Sequence, residues 1–188
     1  MERGHQEQIA PLVQQALFEA DTRITEITRI GATIGPGSFT GLRVGLAFVR
    51  AFAMARSIEC VGVTTLEALA SEAPPKGLIL TAIRSRGELY YVQLYRDGAP
   101  ATAPDVLGRD EIAARVLEVG GGDPLTLVGP DVEGLLDLAP ASTVLVREHV
   151  TGAILHRQIS AAVLGAPPRP LYMRAPDART LAERKARG

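Results

Sequence analysis

An α/β fold is what this sequence predicts. Strand-like and helix-like segments alternate from Thr28 to Leu69, a glycine-rich turn marks the first changeover, and an amphipathic helix precedes them. That first helix runs from Gln6 to Ala20. Its apolar residues Ile9, Leu12, Val13, Ala16, Leu17 and Ala20 recur every three or four positions and form one stripe. Pro11 disturbs it, being tolerable only near a first turn. Thr28–Ile34 reads as a short strand, cut by Gly35-Pro36-Gly37. Ser38 is a good N-cap for a helix from Phe39 to Arg56. Ile58–Val63 follows as a buried strand, and Thr64-Thr65 caps a short helix through Leu66, Ala68 and Leu69.

Ser71–Gly77, with two prolines and a glycine, is the expected boundary. It divides the chain into a first subdomain, 1–73, and a second, 74–178, with 179–188 as a disordered tail. Beyond it, Leu78–Ile83 and Leu89–Tyr95 read as strands joined by an Arg84-Ser85-Arg86-Gly87 turn. A helix at Arg109–Val119, a strand at Leu125–Val128 and a helix at Ile154–Leu164 complete the series, which Pro167-Pro168-Arg169-Pro170 ends.

Composition narrows the chemistry. A 188-residue chain, 46% hydrophobic, can bury a sizeable core without covalent staples. One cysteine, Cys60, excludes an internal disulfide and any multi-cysteine metal site, and its apolar neighbours predict a buried, inert thiol. A net charge of −1 argues against the whole molecule acting as an electrostatic clamp on nucleic acid. No apolar run approaches a membrane span and no signal peptide opens the chain, so a cytoplasmic protein with no membrane partner is expected.

Gly35-Pro36-Gly37-Ser38-Phe39-Thr40-Gly41-Leu42-Arg43-Val44-Gly45 is the most informative stretch. Two readings compete for it. A glycine-rich turn entering a helix N-terminus can cradle an anion. Yet five residues separate Gly35 from Gly41, no lysine follows, and the spacing fits neither a Walker loop nor a dinucleotide fingerprint. The alternative is a packing joint. Gly41, Gly45, Val49 and Ala53 form an i, i+4 row of small residues that would let another helix approach, from within the chain or from a partner.

This stretch resembles the signature of the TsaB (YeaZ) family. Val61–Ala70 resembles the segment that follows it there, and Pro170-Leu171-Tyr172-Met173-Arg174 resembles the family's closing Pro-x-Tyr-x-Arg element. The resemblance implies an actin/hexokinase-like, ribonuclease-H-like α/β fold in two subdomains. It implies a non-catalytic scaffold for the complex that transfers threonylcarbamoyl to N6 of adenosine 37 in ANN-decoding tRNAs. The implied partners are the catalytic paralogue TsaD, the ATPase TsaE through the complex, tRNA indirectly, and a second copy when alone. Ile9, Leu12, Val13, Ala16, Gly41, Arg43, Gly45, Val49 and Ala53 are the expected interface, with Gly35, Pro36, Gly37, Ser38, Phe39 and Thr40 as the signature loop. The family opens with strands before its first helix, and their counterparts are not recognisable ahead of His5.

No catalytic, cofactor or metal site is expected. Ile9 stands where a His-x-x-x-His pair beginning at His5 would need its second ligand, and His149 and His156 lie far along the chain. Ser38 is outside any Gly-x-Ser-x-Gly elbow. Arg84 occupies a position where the family carries Asp, and a charged turn is the plainer reading. From Arg169 onward six basic residues face two acidic ones, a tail that could brush the tRNA backbone. The alternatives are a small-molecule kinase or ATPase of the same fold and a stand-alone homodimeric scaffold.

Overall fold

The structure, a computed structural model, describes residues 5–130, 132–138, 142–163, 165 and 167–173, without the side chains of 5 and 6. The expectations for the basic tail from Arg174 onward, for 179–188 and for the His5 side chain lie outside the described residues.

The first sheet holds two strands, β1 (Arg29–Gly35) and β2 (Glu59–Thr64), paired in parallel. Parallel strands need a crossover, and α2 (Phe39–Arg56) supplies it, packing on β1. Before β1 lies α1 (His5–Glu19), which touches α2. Pro11 is the seventh residue of α1, yet the helix continues through it. The proline lies deeper than the sequence reading allows. Its ring crowds the Glu7 carbonyl and removes one ladder bond, so contact with α2 must help hold this helix.

The second sheet has six strands. β3 (Leu78–Arg84) is central, antiparallel to β4 (Leu89–Arg96) and parallel to β7 (Leu125–Gly129), which pairs with β8 (Thr143–Val146). Two short strands, β5 (Ala99–Pro100) and β6 (Asp105–Gly108), pair with β4. The expected Arg84–Gly87 hairpin is formed, with Ser85 N–H donating to Leu89 O at 2.8 Å and Arg84 pairing with Glu88 at 2.9 Å. Helix α4 (Arg109–Gly120) lays Ile112 and Val116 against Leu80, Leu94 and Leu127 in the larger core. Arg109 ties α4 to the Gly134 carbonyl and to Asp137, whose carboxyl it holds below the usual carboxylate range.

Short helix α3 (Thr65–Ala70) joins the two sheets. Thr64 caps it, its hydroxyl accepting from Glu67 N–H at 3.0 Å. Leu69, Ala70 and Ala73 then pack against Ile79, Tyr95 and Val128 of the second sheet.

Helix α5 (Gly152–Ala161) falls within the span expected for the second subdomain but packs on β1 and β2. Ile154 joins Val61, Val63 and Ala68 in a separate small core. At Gly31 a Cβ would meet Ile159 Cδ1 at 2.6 Å, so the missing side chain is what lets α5 settle on the sheet. Arg29 ties three elements together, pairing with Glu59 at 2.8 Å and donating to the Ile159 and Ser160 carbonyls at 2.9 and 3.0 Å. A cation at the carbonyl end of α5 is electrostatically well placed.

Candidate interaction site

The glycine-rich turn is built as the sequence requires. Gly35 has φ +112°, which favours glycine, and the Gly35–Pro36 bond is cis; both residues are buried. Ser38 caps α2, its Oγ accepting from Gly41 N–H at 3.3 Å. Gly37, Thr40 and Gly41 are exposed, and Phe39 is partly so.

The chain returns to this turn at its far end. Pro168 lies under Gly62, where a Cβ would come 2.6 Å from Pro168 Cβ and also meet Ile34. Gly62 pairs with Ala32 and Gly31 with Val61, so the two glycines open opposite faces of the sheet, one to Pro168 and one to α5. Leu171 N–H then donates to Ile34 O at 2.8 Å, just before the turn. Next to it, Arg43 stacks on the Phe39 ring at 3.7 Å and donates to Tyr172 Oη, while the two rings stand 5.5 Å apart. The glycine-rich signature and the closing Pro-x-Tyr element therefore form one structural unit.

The expected interface residues divide into three groups. Leu12, Ala16, Gly41 and Arg43 are exposed, and a Cβ at Gly45 would meet nothing within 4 Å. Ile9 and Val13 are half-buried. Val49 and Ala53, at 5% and 6% exposure, lie in the chain's own core with Leu46. Val49 and Ala53, expected at the interface, are therefore core residues. Each i, i+4 step advances about 40° around a helix of 3.6 residues per turn, so a row that begins in the open at Gly41 has turned inward by Val49.

The outward row of small residues is Ala47, Ala51 and Ala55, all exposed. Sequence periodicity missed it because alanine fits a core as readily as a surface. Larger apolar side chains also stand clear of the chain, with Met54 81%, Phe18 86% and Leu12 60% exposed. Isolated exposed apolar residues are ordinary, but several on adjoining helices are what an interaction face looks like.

Catalytic candidates fare differently. Among the described residues no three His, Cys, Asp or Glu side chains converge as a metal site. Cys60 is half-buried rather than buried, on a strand whose one sheet neighbour among the described residues is β1; burial pushes its thiol up, away from the nucleophilic form. No helix of the described residues is long and apolar enough to cross a membrane.

A family model described as TsaD, tRNA N6-adenosine threonylcarbamoyltransferase, matches residues 1–110. An uncharacterized protein of Mycobacterium tuberculosis is 32% identical over 180 residues, spanning 96% of this chain and 80% of its own. The tRNA threonylcarbamoyladenosine biosynthesis protein TsaB of Escherichia coli is 36% identical over 99 residues, 50% of this chain and 43% of TsaB. Among solved structures, YeaZ from Pseudomonas aeruginosa superposes with a TM-score of 0.72 at 22% identity, covering 89% of this chain and 84% of YeaZ. The fold is accordingly the actin-like fold of YeaZ. The chain belongs to the family described by the TsaD model and, within it, is a TsaB/YeaZ homologue.

Proposed function

We propose that this chain is a non-catalytic scaffold of the tRNA threonylcarbamoyladenosine machinery, holding the catalytic TsaD paralogue against the outer faces of α1 and α2. The observation that carries this reading is the apolar surface those helices leave uncovered. Leu12 and Phe18 on α1 are exposed, as are Met54 and the alanine row Ala47, Ala51 and Ala55 on α2. Small residues let a second helix pair approach closely, and the large apolar side chains around them supply most of the area to be desolvated. A family model drawn from the transferase and a relative named for the same pathway support the assignment.

In this reading the transfer to N6 of adenosine 37 is performed by the paralogue, TsaE joins through the complex, and tRNA contact is indirect. Two copies of this chain use the same face when no paralogue is present, and the protein works in the cytoplasm. We also assign α5 and residues 167–173 to the first subdomain, with β1, β2 and α2, on the strength of their packing.

The test is co-purification with TsaD. Ala51→Glu and Met54→Arg change exposed positions, so each variant should fold normally and lose at least about tenfold in affinity, the effect of charges in an apolar contact. A complex of undiminished affinity with both variants would refute this face. Substrate turnover by the isolated chain would refute the non-catalytic role.

A further inference from the structure

A cleft of about 460 Å³ between α3, α5 and the β4–β5 turn plays no part in the proposed partner surface. Its size lies in the range of small-molecule sites, and it sits where elements of both sheets meet, a common place for them. The floor is apolar. Ile79, Ala70, Ala73 and Tyr95 line it, all of them more than nine-tenths buried. The Tyr95 hydroxyl is already committed, donating to Gln93 Oε1 at 2.6 Å, so the floor offers a ring face and aliphatic surface.

Opposite charges stand at the mouth. Glu67, on α3, makes no ion pair or side-chain hydrogen bond among the described residues. Arg157, on α5, reaches only the Ser71 carbonyl, with Nη2 at 3.4 Å, and its remaining donors meet no carboxylate among those residues. Ser71 is the C-cap of α3, so this contact places the guanidinium at the C-terminal end of the same short helix that carries Glu67. The two charges do not pair directly, yet they line one opening. A molecule carrying an ammonium and a carboxylate on the same carbon can bridge them through charge-assisted hydrogen bonds while its apolar part covers the floor.

We propose that this cleft binds a free α-amino acid with an apolar side chain, the ammonium on Glu67, the carboxylate on Arg157 and the side chain over Ile79 and Tyr95. The lining supplies one carboxylate, one guanidinium and an apolar floor, and no other group needs to be supplied. Neither charged residue lies on the outer faces of α1 and α2, so the site is independent of the partner surface.

The experiment follows amide shifts of the full chain on titration with L-leucine, N-acetyl-leucine and leucinamide. Leucine is expected to give saturable shifts at residues 67–73, 95–100 and 157–158, with a Kd of about 1 mM or below. N-acetyl-leucine lacks the ammonium and leucinamide the carboxylate, so each should bind at least about tenfold more weakly. Glu67→Gln and Arg157→Gln should each weaken leucine by about the same factor, with co-purification with TsaD unchanged. The assignment is overturned if leucine gives no saturable shift, if either blocked analogue binds as well as leucine, or if the two substitutions leave binding intact.

Discussion

Arg43 donates from Nε to the hydroxyl of Tyr172, 3.1 Å away and 129 residues along the chain. The contact fastens the closing segment to the N-terminal part of α2, and the Phe39 ring, in contact with Tyr172, lies against the same guanidinium. Because the three side chains are partly exposed, each contact is modest. Tyr172→Ala removes the hydrogen bond and the ring contact together and should cost about 1–2 kcal/mol in urea unfolding. Tyr172→Phe keeps the ring and should cost less than half of that. If the two variants are equally stable, the hydroxyl carries the whole effect and the stacking carries none.

Two glycines should answer oppositely to the same methyl group. At Gly62 the added carbon runs into Pro168 and Ile34, so Gly62→Ala should destabilise the protein by about 2 kcal/mol. At Gly45 it meets only open space on a helix, so Gly45→Ala should stabilise the isolated chain by about 1 kcal/mol. Chemical denaturation of both variants, analysed at a common m-value, reads the difference directly.

Pro11 breaks the hydrogen-bond ladder of α1 from within. Replacing it with alanine restores a ladder bond and removes the clash, offset in part by a looser unfolded chain. The net gain in α1 should be about 2 kcal/mol. Amide exchange of residues 12–17 should slow by about thirtyfold, and unchanged exchange would mean that contact with α2 already sets the opening of this helix.

Tyr95 brings a pH dependence at the alkaline end. Burial pushes its phenol above the ordinary tyrosine range, the nearby Glu67 carboxylate adds to the shift, and hydrogen bonds with Thr64 and Thr81 oppose it. The folded state therefore keeps a proton that the unfolded state releases above about pH 10. Stability due to this group is complete below that pH and falls as pH rises toward the folded-state value, by up to about 1.4 kcal/mol per pH unit. Tyr95→Phe, compared with the parent in denaturation from pH 9 to pH 11, should remove that component of the slope.

How far the sequence reading carried depends on which force placed each residue. Turn chemistry and capping are local, so the Gly35–Gly37 turn, the Ser38 and Thr64 caps and the Arg84–Gly87 hairpin were legible. The β-branched segment of β8 was passed over because it is short and half-exposed, and the two-residue β5 exists only through pairing with β4. Which face of α2 turns outward was not legible either. Its small residues occur on several sides, and only the position of the sheet decides that Val49 is buried while Ala51 is exposed. Nothing in the spacing of α5 announced that it returns to the first sheet, since the fit depends on an absent side chain at Gly31, more than a hundred residues earlier.

That late return has a bearing on biosynthesis. β1 and β2 leave the ribosome well before the helix that covers one face and the proline that presses on the other. The larger sheet draws all its strands from residues 78–146 and can close while translation continues. The smaller one has α2 against it from the start but keeps its α5 face bare until that helix emerges, a vulnerable interval in which chaperones or a nascent partner would find it open.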